Sequence, residues 1–300
     1  MHIFLTGGNG FIGKAVIAEL LSFGHTVTGL ARSDESAQIL ISLGTSVHKG
    51  SLSDLHALKE GAAAADAVIH LAFIHDFSNF AASVEIDKAA IEAMAEGMKG
   101  TGKPLIVTSG TLLMRHGHVG TEDDAYDTSA APFDVRGQSE ELTKKLAKDK
   151  GIAAVVVRLA PVVHGDTDKQ FVPIVIAAAR KNGVSAYIGD GLNRWPATHV
   201  LDAAAAFRLA VERKVPPGST LHFVAEEGVQ TKDVAIAIGK KLGLPMVSKK
   251  KDEAAEHFGW FASVAGIDNP VSSAKTKEML GWTPKQPSLL DDIRNGTYFT

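Results

Sequence analysis

The stretch TGGNGFIG, residues 6–13, decides how the chain is read. It directly follows a short β-rich run, HIFLT (residues 2–6), and opens a helical pattern over residues 11–23. Its glycines fit two overlapping spacings: G-x-G-x-x-G at Gly8, Gly10 and Gly13, and G-x-x-G-x-x-G at Gly7, Gly10 and Gly13. A strand that turns sharply into a helix needs glycine at the turn. Missing side chains let backbone N–H groups approach a phosphate, and the helix directs its positive end at the same charge. The last glycine allows helix to pack closely on strand. Strand, loop and helix in this order are the context that gives the spacing its meaning. Gly7, Gly8, Asn9, Gly10, Phe11, Ile12 and Gly13 are therefore expected to cradle the pyrophosphate of a dinucleotide.

The end of the second β-rich run bears on which dinucleotide. An NAD site places Asp or Glu there to bind the ribose 2′-hydroxyl. This chain reads LARSDES over residues 30–36, with Arg32 and Ser33 at the spot. A guanidinium pairs with a 2′-phosphate, and a hydroxyl can add a bond. NADP(H) is expected in preference to NAD(H). The competing reading leaves Arg32 as a solvated charge and gives the ribose to Asp34.

Outward from this unit, short apolar runs alternate with helical stretches. HTVTGLAR (25–32), SVHKG (46–50), DAVIHLAF (66–73), KPLIVTSG (103–110) and IAAVVVRLAP (152–161) read as strands. Helices are expected around residues 36–43, 80–99 and 134–149. Strands apolar throughout are buried on both faces. The alternation predicts an α/β fold, a Rossmann-type doubly wound parallel sheet with right-handed crossovers. The rhythm changes near residue 165. Residues 1–165 are read as the dinucleotide-binding domain, and residues 166–300 as a smaller C-terminal substrate lobe interleaved with the sheet.

The 300 residues are 45% hydrophobic and 22% charged, which is ordinary for a globular chain and ample for a buried core. A net charge of −3 provides no field that would draw nucleic acid or an anionic membrane. The chain has no cysteine, which excludes disulfides, thiolate catalysis and Cys-ligated metals. No run approaches the roughly 18 apolar residues of a membrane span. A cytoplasmic protein is expected.

VIHLA (68–72), IVTSGT (106–111), VVRLAPVVHG (156–165), HVLDAA (199–204) and KEMLGWTP (277–284) complete a series of landmarks. With TGGNGFIG, in this order, the chain resembles the extended short-chain dehydrogenase/reductases, the group that includes nucleotide-sugar epimerases. The resemblance implies a nicotinamide cofactor, contacts from Leu71 and Ala72 to its adenosine half, and a substrate-orienting hydroxyl at Thr111 or Ser109. It also implies dimerisation through the helices at 80–99 and 134–149, so a homodimer is expected. The family's chemistry needs a Tyr-x-x-x-Lys helix, whose tyrosine moves the proton and whose lysine tunes it.

Here the chain departs from the pattern. APFDVRGQSEEL (131–142) lies where that helix should begin. Aligned on Glu140, Arg136 takes the lysine position and Pro132 the tyrosine position; shifted by one, they are Gly137 and Phe133. Neither register supplies a phenol, and Tyr126 falls in the preceding loop. The member is thus atypical. Arg136 can hold the electrostatic half of the pair, but its pKa is too high for lysine's full role. His75 and His164 follow the fourth and sixth strands, where ligands bind, and stand as alternative proton donors beside Thr111; packing histidines are the simpler reading of both. His116 and His118 lack a third ligand on a fixed element, so no metal is expected. Phe258, Trp260, Phe261 and Trp195 read either as core or as the wall of a substrate pocket.

Two functions follow. One is an NADP(H)-dependent oxidoreductase, reductase or epimerase-like, acting on a small carbonyl or quinone compound with an atypical proton donor. The other is a non-catalytic NADP-binding sensor or scaffold.

Overall fold

The run HIFLT forms strand β1 (His2–Thr6), in which Ile3, Phe4 and Leu5 are wholly buried. The computed structural model describes residues 1–76, 78–129 and 134–299. After β1 come α1 (Phe11–Ser22), β2 (Thr26–Ala31), α2 (Asp34–Ser42), β3 (Ser46–Lys49), α3 (Leu55–Ala63), β4 (Ala67–His70), α4 (Phe80–Gly97), β5 (Pro104–Gly110), α5 (Gly137–Lys150) and β6 (Ala153–Leu159). The later half holds β7 (Val162–His164), α6 (Phe171–Asn182), β8 (Ser185–Ile188), β9 (Arg194–His199), α7 (Val200–Glu212), β10 (Thr220–Phe223), β11 (Glu226–Gln230), α8 (Thr231–Leu242) and β12 (Met246–Lys249). Four short helices close it: α9 (Ala254–Phe258), α10 (Ala262–Ala265), α11 (Ala274–Leu280) and α12 (Leu289–Asn295).

Seven strands form one parallel sheet in the order β3-β2-β1-β4-β5-β6-β10. One face packs Val16, Ile17 and Leu20 of α1, Leu40 of α2 and Phe207 of α7 against Ile3, Leu5 and Ile69. The other packs Leu58 of α3, Ile91 and Met94 of α4 and Leu146 of α5 against Phe4, Val68 and Leu105. Burial on both faces is why these strands are apolar without alternation. The strand order reverses between β1 and β4, and a crevice opens there at the strands' carboxyl ends. DAVIHLAF becomes a shorter strand than its apolar run suggests: β4 stops at His70, paired with the last residue of β1, Thr6. Residues 71–76 leave the sheet.

The later half divides. β10 and α7 return to the main sheet, while β11-β9-β7 and β12-β8 build a second layer around Val175, Trp195, Ile238, Phe258 and Phe261. Phe171, Trp195 and Phe261 pack edge to face within it. No helix among the described residues is long and apolar enough to cross a membrane.

A buried charge holds α5 to the sheet. Arg158 on β6 has no exposure, and its Nη2 meets Glu140 Oε2 of α5 at 2.6 Å. Its Nε faces both Glu140 oxygens, at 3.0 and 3.1 Å. Ser109 on β5 donates to Glu140 Oε1 at 2.6 Å, and Arg158 Nη1 donates to the Asp124 carbonyl at 2.9 Å. His222 on β10 completes the cluster: its Nδ1 bonds the Ser272 carbonyl at 2.8 Å and Arg158 Nη1 lies 3.5 Å from Nε2.

Breaking one side of a buried pair strands the other charge, which costs about 3–5 kcal/mol. Glu140→Gln is expected to lower the urea-unfolding free energy by that amount; a loss below about 1 kcal/mol would show that water screens the pair. His222 generates a pH dependence. Burial, reinforced by the Arg158 charge, pushes its pKa down to about 4. An unfolded histidine titrates near 6.5. Between those values the unfolded chain binds a proton that the folded one refuses. This contribution is full above about pH 6.5 and is lost as pH falls toward 4, at most about 3 kcal/mol. Urea midpoints at pH 7 and pH 5 should therefore differ less in His222→Asn than in the parent; equal slopes would contradict this.

Candidate active site

The glycine loop leaves β1 through Gly7, at φ +75°, a region that L side chains avoid. A Cβ there would stand 2.8 Å from the Ala72 nitrogen, and one at Gly13 would stand 2.2 Å from the Gly7 carbonyl oxygen. Both contacts are tighter than packing permits, so only glycine lets loop, helix and post-β4 segment meet. α1 begins after Gly10 with no side-chain cap and no acidic residue in its first turn. Its first N–H groups therefore face the loop with no capping side chain among the described residues, the arrangement that binds a phosphate.

A cleft of about 800 Å³ runs over this loop. Gly7, Asn9, Gly10, Phe11, Ile12 and Gly13 form its floor, with Leu71 and Ala72 beside them. Gly8 lies beneath, where a Cβ would meet Leu40 at 2.8 Å. The space and backbone donors fit a dinucleotide, with a wall at each end of the loop for its two nucleosides.

At one end stand Arg32, Ser36, Ser51 and Ser53. Arg32 is exposed and has no carboxylate partner among the described residues. Ser33 does not line the cleft; its hydroxyl accepts the Ser36 N–H at 3.2 Å and caps α2. Ser36, which sequence reasoning passed over, takes its place at the wall and receives the Asn9 side-chain amide at 3.0 Å. Asp34 points away and pairs with Lys49 at 2.7 Å.

At the other end stand Phe73, Ile74, His75, Asp76, Thr108, Leu159 and Gln170. The two hydroxyls singled out in the sequence lie elsewhere. Ser109 is bound to Glu140 beneath the sheet. Thr111 is wholly buried, donates to Asn269 Oδ1 at 3.0 Å and accepts at its carbonyl from Asn269 Nδ2 at 3.1 Å. Strand alternation explains the difference: Ser109 shares the α5 face with Leu105 and Val107, and Thr108 faces the opposite way. The Thr108 hydroxyl is buried and has no bonded partner among the described residues.

Arg136 ends a short 3₁₀ turn before α5. Its guanidinium lies 3.8 Å over the Phe73 ring, and Nη2 donates to the Thr108 carbonyl at 3.2 Å. It thus stands directly behind two residues of the cleft wall. Burial pulls its pKa below the usual guanidinium value, while the Asp87 and Glu140 charges work against that. His75 lines the cleft, its pKa lowered first by burial and then by Arg136. His164 does not line it: its Nδ1 bonds Asp292 at 2.8 Å within the lobe, and its ring meets His199 edge-on at 5.2 Å. Tyr126 packs its ring over Gly137, where a Cβ would be 2.1 Å from it, so its phenol is not in the cleft. Burial and then Glu141 push that phenol's pKa up. Pro132 and Phe133, the two residues aligned with the tyrosine, lie outside the described residues.

The sequence profile of the NAD dependent epimerase/dehydratase family matches residues 3–223. An uncharacterized protein of Schizosaccharomyces pombe is 45% identical over 300 residues, covering all of both chains. A 4-hydroxy-2-methyl-3-oxo-4-farnesyl-3,4-dihydroquinoline-1-oxide ketoreductase of Stigmatella aurantiaca is 28% identical over 75% of this chain and 68% of its own. Among solved structures, UDP-glucuronic acid 4-epimerase from Bacillus cereus in complex with NAD superimposes with a TM-score of 0.76 at 19% identity, over 99% of this chain and 97% of that one.

Proposed function

Because this chain belongs to the NAD dependent epimerase/dehydratase family, of the extended short-chain dehydrogenase/reductase type, we propose that it is an NADP(H)-dependent reductase of a small carbonyl or quinone compound. One observation carries the cofactor choice. The adenosine end of the cleft offers Arg32, Ser36, Ser51 and Ser53 and lacks a lining carboxylate among the described residues. A guanidinium without a protein counter-charge, ringed by hydroxyls, favours a 2′-phosphate over a bare ribose.

When bound, the reduced dinucleotide supplies a hydride to an electrophilic carbon. The chain does the rest. The α1 N-terminus and the glycine loop hold the pyrophosphate, and Ala72 and Leu71 bound the groove. Arg136, kept cationic behind Thr108 and Phe73, stabilises negative charge that gathers on the acceptor oxygen. Such a charge acts strongly across a wall of low dielectric. His75 is neutral near pH 7 because its pKa is lowered, which makes it a poor proton donor there. No phenol lines the cleft among the described residues.

This chemistry favours a particular acceptor. A simple ketone becomes a strongly basic alkoxide, which needs a proton as it forms. A quinone becomes a stabilised phenolate, which Arg136 can hold until solvent protonates it. The ketoreductase relative supports a carbonyl acceptor. The engaged hydroxyls of Ser109 and Thr111 favour a second reading, an NADP-binding sensor without turnover.

Dissociation constants for NADPH and NADH, measured by fluorescence for the parent and Arg32→Ala, test the cofactor choice. The parent should bind NADPH at least about tenfold more tightly, and the variant should lose that margin. An NADPH affinity unchanged in Arg32→Ala would defeat the assignment. Consumption of NADPH with a quinone panel then separates reductase from sensor.

A further inference from the structure

Between the glycine loop and α5 lies a chain of polar side chains that the reaction as described does not use. Thr6, His70, Asp87 and Ser139 are all buried, His70 at 1% exposure and Asp87 at 3%. The Thr6 hydroxyl lies 2.7 Å from His70 Nδ1, and His70 Nε2 lies 3.1 Å from Asp87 Oδ1. The Ser139 hydroxyl donates to Asp87 Oδ2 at 2.7 Å. Thr6 Oγ1 also accepts the Ala72 N–H at 3.2 Å.

The direction of the bonds is fixed from the Asp87 end. Burial works to raise the Asp87 pKa, but the bond and charge of His70, the Arg136 charge and the Ser139 bond hold it below the ordinary carboxylate value. Asp87 therefore only accepts, so His70 carries its proton on Nε2. In the neutral ring Nδ1 then accepts and the Thr6 hydroxyl donates to it; in the imidazolium Nδ1 donates to the Thr6 oxygen instead, and the link persists either way. Both cases leave a Thr6 lone pair for the Ala72 N–H. Each link constrains the next.

The two ends of the chain are the two halves of the site. Ala72 is the backbone against which Gly7 closes, 2.8 Å from where a Cβ would be. Ser139 sits in the first turn of α5, three residues after Arg136. We propose that His70 and Asp87 are positioning residues that couple the cofactor cradle to the Arg136 segment, so that ordering one end of the Thr6–His70–Asp87–Ser139 chain orders the other. The inference rests on the reading of the cleft as a dinucleotide site. Neither residue touches the cleft; they act through Ala72 and through α5.

The links can be cut separately. In His70→Asn the amide reaches the Nδ1 position and keeps the Thr6 bond but loses Asp87. Ser139→Ala cuts the far end, out of reach of any cofactor. Kd for NADPH is measured by fluorescence in both and in the double variant, with folding checked by thermal melting. Each single variant should weaken binding by about five- to tenfold, and the double variant no more than the weaker single one, because both cut one chain. Ser139→Thr, which keeps the hydroxyl, should restore affinity. Hydrogen exchange supplies a readout that plain destabilisation does not move. Saturating NADPH should slow exchange over residues 137–141 in the parent, and fail to do so in His70→Asn at saturation. Multiplicative losses in the double variant, or slowing retained in His70→Asn, would overturn the coupling while leaving the cofactor reading intact. A parent that binds neither NADPH nor NADH would overturn both.

Discussion

A guanidinium with no exposure, Arg158, sits on the sheet under α5, and Glu140 is the carboxylate that neutralises it. That constraint sets the position of the helix. A buried charge tolerates no slip of its partner, because an unpaired one costs more than the pair returns. With Glu140 pinned, the residues one turn to either side fall where the helical repeat puts them. Arg136 lands against Thr108 and Phe73, and Thr143 is buried. Ser139, next to Glu140, is turned toward Asp87 of α4. The Ser109 hydroxyl goes to the same carboxylate. The charge that secures the helix thus takes up one hydroxyl that the family resemblance assigns to substrate.

The two ends of the cleft are built from different materials. The cradle is backbone: glycines whose missing Cβ atoms let segments meet at distances no side chain allows. The reacting end is made of side chains from β5, the segment after β4 and the turn before α5, brought together only by the fold. The two ends can therefore vary independently: the glycine loop depends on missing side chains, whereas the other end depends on which side chains, such as Phe73 and Arg136, the fold brings together.

The same separation decided what could be read from the sequence. TGGNGFIG and the alternating apolar runs were enough for the sheet and the strand–loop–helix turn, because both follow from local spacing. The ends of elements were harder. The apolar run at 66–73 could not reveal that β4 stops at His70, a limit set by its pairing with Thr6. α3 escaped notice, although Asp54 three residues before Ala57 was a legible cap. At the reacting end, period-two alternation already separated Thr108 from Ser109, but which face meets α5 depends on the Arg158 pair. The partner of Thr111, Asn269, is 158 residues away, and no local pattern carries that.

In the proposed reaction a charge behind the wall, and no protein proton, serves the acceptor oxygen. Single-turnover reduction of a quinone tests it directly, using NADPH deuterated at C4, in H₂O and in D₂O. A primary isotope effect from the C4 label and almost none from the solvent are expected, both unchanged in His75→Asn. A solvent isotope effect that disappears in His75→Asn would contradict it and place the proton donor inside the cleft.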